Sequence, residues 1–189
     1  MWVVAMLVVG GVYWYSTRNL KNGPVPAEQS ANDDSVPTMA LGSSMLPLIG
    51  TWLDGKAPEL KNKVVVLDFW GTFCMPCIQS IPANTKLVEN YGPKGLVFIG
   101  VSREPKVRIE EFKNARAIRY PLFASNDAAF EKHGIQAIPA TLLFDKHGKL
   151  VWKGNQFEGP DGSMLESFAK ALKTALAEPD EAGGLRLGE

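Results

Sequence analysis

Cys74 and Cys77 are the only cysteines in 189 residues, and they stand as C-x-x-C in the run Asp68-Phe69-Trp70-Gly71-Thr72-Phe73-Cys74-Met75-Pro76-Cys77. Thiols at this spacing can cycle between dithiol and disulfide: one attacks a disulfide in another molecule, and the second displaces the mixed disulfide that results. Two other uses of the pair have to be weighed. A purely structural disulfide across so short a ring removes little entropy from the unfolded chain. A zinc site has only His133 and His147 left to complete it, far wider apart than the roughly three to five residues of common zinc patterns, and no second C-x-x-C exists. Redox chemistry is the expectation.

The pair has to be held at a strand-to-helix junction. Val64-Val65-Val66-Leu67-Asp68-Phe69 is a short β-branched, apolar run after Lys61-Asn62-Lys63, which reads as a buried strand. From Ile78 to Tyr91 apolar residues recur at Ile78, Ile81, Leu87, Val88 and Tyr91, a helical period interrupted at Pro82. At the start of that helix the free N–H groups and the positive dipole end favour a thiolate, so Cys74 is the expected nucleophile. Cys77, on the same side of the first turn, is the expected resolving thiol. Pro76 is tolerated there because the first turn has no N–H partner to lose.

Asp68 lies on the strand among valines. A carboxyl in that place is expected to be buried and held partly neutral by desolvation, ready to take the proton of Cys77 as that thiol attacks. An exposed aspartate at a strand end is the competing reading.

With 46% hydrophobic residues the chain can bury one core, and 20 basic against 20 acidic side chains leave no net field to attract nucleic acid. The organisation expected is an apolar N-terminal segment (1–20), a flexible tether (21–40), one α/β domain (41–177) and a disordered polar tail (178–189). Within the domain, Met45 to Leu53 closed by Asp54-Gly55 reads as a small N-terminal hairpin. Gly95 to Val101 reads as a second buried strand, giving with the first a parallel βαβ unit. A helix is expected over Val107 to Ala115, a short strand at Tyr120-Pro121-Leu122-Phe123 and a short helix from Asn126 to His133 ended by Gly134. Thr141 to Phe144 and Leu150 to Lys153 read as an antiparallel hairpin. Ser163 to Glu166 is a capping box opening a last helix whose Leu165, Phe168, Leu172 and Leu176 share a face. His133 and His147, beside glycines, read as solvated loop residues.

Asp68-Phe69-Trp70-Gly71 followed by C-x-x-C, with Pro82 after it and Ile138-Pro139 much later, resembles the thioredoxin superfamily. More closely it resembles the membrane-anchored TlpA/ResA/CcmG-like thiol–disulfide oxidoreductases. The resemblance, over about residues 45 to 176, implies a thioredoxin-like fold: a central mixed sheet flanked by helices, with an N-terminal hairpin and an inserted strand and helix. It implies a cis bond before Pro139, which spacing alone would leave as an ordinary trans proline, and it supports Asp68 as the proton acceptor. It also implies a partner-binding surface of Trp70, Phe73, Met75, Pro76, Ile138 and Pro139, although Trp70, like Trp152, reads equally as core or rim packing. No cofactor is expected beyond the Cys74–Cys77 disulfide. Ser80 departs from the cytochrome-maturation branch, where glutamate is usual at this place. Phe73 replaces the usual tryptophan. The activity implied is reduction of disulfides in extracytoplasmic proteins, recharged by a membrane thiol–disulfide carrier. The alternatives are a peroxiredoxin-like peroxidase, whose threonine place is Gly71 here with no arginine near in sequence, and a non-enzymatic redox-sensing or peptide-binding module.

Trp2 to Tyr15 carries no charge and as a helix spans roughly 21 Å, nearly a hydrocarbon core once extended to Leu20. It reads as an uncleaved signal anchor, against the competing cleaved signal peptide. Arg18 and Lys21 after it point the domain inward by the positive-inside rule, whereas the family resemblance implies a bacterial inner-membrane protein with its domain outside.

Overall fold

The computed structural model describes residues 38–155 and 163–180. The expected anchor and most of the tether lie outside the described residues, and no helix among those described is long and apolar enough to cross a membrane. In chain order the elements are β1 (Thr51–Trp52), β2 (Val64–Phe69), α1 (Met75–Tyr91) with a 3₁₀ turn (Gly92–Lys94), β3 (Leu96–Ser102), α2 (Lys106–Arg116), β4 (Leu122–Ala124), α3 (Asp127–Lys132), β5 (Ala140–Phe144), β6 (Leu150–Gly154) and α4 (Ser163–Ala177). One mixed sheet runs in the order β1-β4-β3-β2-β5-β6.

Strand β2 is buried at every position, as befits a strand covered on both faces. It lies parallel to β3 and antiparallel to β5. The pleat sends Val64 and Val66 into one core with Ile81 of α1 and Phe168 and Leu172 of α4. It sends Val65, Leu67 and Phe69 into the other, with Phe130 of α3. Asp68 shares the parity of Val64 and Val66, so its carboxyl points to the α1 side. The sheet's registry thus decides which helix the acid meets.

The expected βαβ unit and the β5–β6 hairpin form. The short helix α3 begins after Asn126, whose Oδ1 accepts the Ala129 N–H at 3.0 Å. Helix α1 runs unbroken through Pro82, although the ring removes a backbone donor there.

The N-terminal hairpin does not form among the described residues. Residues 42–45 instead run beside the start of β6, with Gly42 N–H donating to Leu150 O at 2.8 Å, Leu150 N–H to Ser43 O at 2.9 Å and Met45 N–H to Gly148 O at 2.8 Å. The chain then lays Met45, Leu48 and Trp52 on the second core and reaches the opposite edge, where β1 pairs with β4. Gly50 is needed at that arrival, since a Cβ there would collide with the carbonyl oxygen of Ala124. The alternation marked a half-buried segment, but its partners are two distant edges rather than itself.

Contacts are made on either side of residues 41–177. Thr38 N–H donates to Gly134 O at 2.9 Å, and Gly134 (φ +68) leaves no room for a Cβ beside Thr38, so the last of the tether is docked. At the other end Lys146 Nζ holds Glu178 O at 2.7 Å and Asp180 Oδ1 at 2.8 Å; residues 181–189 lie outside the described residues. On α4 the buried residues are Phe168, Leu172 and Ala175, while Leu165, placed on the buried face by its spacing, is half exposed.

Candidate active site

Cys74 is the N-cap of α1, in extended conformation, and its Sγ accepts the Cys77 N–H at 3.3 Å. The two cysteines form a disulfide with Cα atoms 5.3 Å apart. Cys74 is 8% exposed and Cys77 2%, so the first sulfur is the one a partner can approach. Met75 and Pro76 occupy the first turn, where no N–H is missed. Phe73 and Met75 on either side of Cys74 are 65% and 61% exposed, two large apolar side chains held in solvent beside the outer thiol.

The Ile138–Pro139 bond is cis. Ile138 packs over Gly71, where a Cβ would lie 3.2 Å from Ile138 Cδ1 and 3.0 Å from the Phe73 ring. Gly71 therefore lets the proline loop close onto the cysteine loop. Trp70 does not join this surface: it is 4% exposed, its ring centroid 5.6 Å from that of Phe112, and its Nε1 is buried without a partner. It backs the site from the core and offers no face to a bound chain.

Beneath the disulfide lies a buried polar cluster. Asp68, 4% exposed, accepts from Asn84 Nδ2 at 3.3 Å and from Thr141 Oγ1 of β5 at 3.4 Å. Asn84 also donates to Ser80 Oγ at 3.4 Å, and Ser80 Oγ donates to the Cys77 carbonyl at 2.7 Å. Burial pushes the Asp68 carboxyl up to about 7, with the Thr141 hydroxyl opposing the shift. Tyr120, also buried, is driven above its ordinary range by burial first and by the charge of Asp68 second, with Asn84 opposing. The competing picture of an exposed strand-end aspartate is ruled out by this burial.

A second acid stands on the outer side of the cysteine loop. Glu104, with its side chain 10% exposed, accepts the Thr72 N–H at 2.5 Å and the Thr72 hydroxyl at 2.6 Å, and its Oε1 forms an ion pair with Arg108 Nε at 2.9 Å. Arg108 Nε also reaches Thr72 Oγ1 at 2.9 Å. An arginine distant in sequence is thus brought to the residue two before Cys74. Neither Glu104 nor Arg108 had a signal in spacing, because their partner lies more than thirty residues away. Asn84 did leave a trace: it is a polar residue on the face of α1 that buries Cys77, Ser80 and Ile81.

His133 differs from its reading as a solvated residue. It is fully buried at the end of α3, with Nδ1 2.7 Å from Ala129 O and its ring 5.6 Å from that of Phe69. Burial lowers its proton affinity, against the backbone oxygens of Ala129 and Leu46. His147 is half buried, with Nε2 3.9 Å from Glu178 Oε2.

Residues 53–153 match the sequence profile of the AhpC/TSA family. The thiol-disulfide oxidoreductase ResA of Halalkalibacterium halodurans is 31% identical over 117 residues, which cover 61% of this chain and 65% of that protein, just under two thirds of its length. ResA of Bacillus thuringiensis is 31% identical over 141 residues, 71% of this chain and 79% of that one. Among solved structures, a Chlorobium tepidum protein assigned to the thiol:disulfide interchange proteins as DsbE superposes with a TM-score of 0.66 at 21% identity, covering 74% of this chain and 100% of its own, and shares the fold. A mixed sheet of thioredoxin type, a C-x-x-C disulfide at the head of its first long helix and these relatives agree: the chain belongs to the AhpC/TSA family and, within it, to the thiol–disulfide oxidoreductases related to ResA.

Proposed function

We propose that the chain reduces disulfides in partner proteins outside the cytoplasm, with Cys74 as nucleophile, Cys77 as resolving thiol and Asp68 as proton acceptor. The observation that carries this reading is the asymmetry of the pair: Cys74, 8% exposed, lies between exposed Phe73 and Met75, while Cys77, 2% exposed, is tied through Ser80 and Asn84 to a carboxyl whose proton is held near neutral pH. In the reduced protein the Cys74 thiolate, favoured at the helix start, attacks one sulfur of a partner disulfide. A Cys74–partner bond forms, and the partner's other sulfur leaves as a thiolate. Asp68 takes the Cys77 proton, the Cys77 sulfur attacks Cys74 Sγ, and the mixed disulfide breaks. The partner leaves as a dithiol and the Cys74–Cys77 disulfide of the structure is the product. Two electrons have passed to the partner, and a membrane thiol–disulfide carrier restores them. Phe73, Met75, Pro76, Ile138 and Pro139 receive the partner's extended backbone and apolar side chains.

The reduction potential tests the direction of flow. A value near the roughly −270 mV of thioredoxin fits a reductase; one near the roughly −120 mV of DsbA makes the chain an oxidant. Residues 1–20 serve as the anchor in this reading, raising the effective concentration of enzyme and carrier. Reporter fusions after Leu176 decide the face: activity only from a cytoplasm-dependent reporter removes the extracytoplasmic placement and its partners. The family's profile keeps a peroxidase in view. Gly71 stands where that chemistry places threonine, and a Cβ there would press on Phe73 and Ile138; peroxide consumption as fast as disulfide exchange would restore it.

A further inference from the structure

A carboxyl used as a proton acceptor has to be aimed, and Asp68 has no charged partner to aim it. Among the described residues no Lys or Arg forms an ion pair with it. Its β3 register partner is Gly100, which brings no side chain. Thr141 of β5 holds Oδ1 at 3.4 Å, and the amide of Asn84 on α1 holds Oδ2 at 3.3 Å. Asn84 is 1% exposed, and burying an amide in a helix face that packs on a core costs free energy unless its polar atoms are met. Asn84 Nδ2 donates to the acid and to Ser80, whose own hydroxyl ends on the Cys77 carbonyl, and the same side chain is hydrogen-bonded to Tyr120. The titratable group that feels the charge of the acid is Tyr120, ahead of β4; the two cysteines stand at the head of α1, whose Lys86 and Glu89 are exposed and whose Tyr91 lies at its far end.

Resting on the reading of Asp68 given above, we propose that Asn84 is a positioning residue for the resolving step: its side chain holds Asp68 Oδ2 and, through Ser80, ties that carboxyl to the Cys77 turn of α1. The acid then faces the resolving thiol in one orientation, and the donor favours its ionised, proton-accepting form. Removing the donor penalises the carboxylate and raises its proton affinity. Because only the ionised form accepts a proton, the rising limb of the rate against pH moves to higher pH.

The test uses the reduced full chain and 5,5′-dithiobis(2-nitrobenzoate). Cys74 releases one thionitrobenzoate and keeps the other as a mixed disulfide; Cys77 then displaces the second, giving two kinetic phases. In Asn84→Leu the midpoint of the second phase rises by about one pH unit, so that below it the phase runs about tenfold slower. In an Asp68→Asn background the same substitution changes nothing further, because its target is gone. Equal slowing in both backgrounds with the midpoint unmoved makes Asn84 a packing residue and overturns the proposal. A second phase untouched by Asp68→Asn alone overturns the base assignment itself, a separate failure. Asn84→Ser, smaller and unable to overpack, reads the same rise in midpoint if the leucine variant does not fold.

Discussion

The cysteine loop is flanked by two carboxylates kept largely out of solvent, and the chain treats them in opposite ways. Glu104 receives short hydrogen bonds from the backbone and hydroxyl of Thr72 and an ion pair from the guanidinium of Arg108. Asp68 receives two long hydrogen bonds from neutral side chains and, among the described residues, no ion pair. Charge-assisted bonds of the first kind are the strong ones. A buried carboxyl with only neutral donors is left where its two protonation states are close in free energy, near neutral pH. Under the proposed function the contrast separates two jobs: Glu104 fixes the loop that presents Cys74, and Asp68 trades a proton behind Cys77.

The largest expected effect comes from removing the second job. Because the folded Asp68 lies at about 7, above its unfolded value of 3.8, the folded state binds this proton more tightly. Its contribution to stability is therefore fully present below about pH 4 and is lost as pH rises through 7. Asp68→Asn of the oxidised protein matches wild type near pH 4 and exceeds it by up to about 4 kcal/mol at pH 8, since each tenfold change in proton affinity is worth about 1.4 kcal/mol. Denaturant titrations across this range measure the gap. The same variant resolves mixed disulfides on the order of a hundredfold more slowly. A gap that does not change with pH would show that Asp68 is not held in the state described.

Glu104→Gln should move in the opposite direction. It swaps an acceptor for a donor against Thr72 and Arg108, and costs about 2–3 kcal/mol of stability. The fit of Cys74 to a protein disulfide weakens while the pH midpoint of the resolving phase stays in place. If the variant were stabilised at alkaline pH, as Asp68→Asn is, the contrast between the two acids would be lost. Arg108→Ala comes last. Its side chain is 61% exposed, and an ion pair so open to solvent is worth about 0.5 kcal/mol. A loss as large as that of Glu104→Gln would mean that the arginine, and not the backbone of Thr72, carries the clamp.

The sequence showed what depends on neighbours along the chain and hid what depends on crossings. The C-x-x-C at a strand-to-helix junction, the all-buried β2 and the parity that buries Asp68 follow from periods of two and 3.6 residues. The cis Ile138–Pro139 bond was legible only through family resemblance, since X-Pro by itself favours trans. The misplaced hairpin had the right alternation, but an edge strand's pattern does not name its partner, and β1 found β4 far along the chain. His133 sat beside a glycine, a mark of turns, yet the domain's N-terminal segment docks at Gly134 and buries it. The Glu104–Thr72 clamp joins two loops and has no periodic signature. Asn84 could have been noticed as a polar residue in an apolar helix face, though not what it holds.

The most direct test of the account is which cysteine becomes joined to a partner when its neighbour is removed. With insulin as substrate, the reduced Cys77→Ser variant should accumulate a mixed disulfide that peptide mapping places on Cys74, and the Cys74→Ser variant should form almost none, since Cys77 is 2% exposed beneath it. Adducts of comparable yield on Cys77 would contradict the assignment of nucleophile and resolving thiol, and with it the division of labour between Asp68 and Glu104.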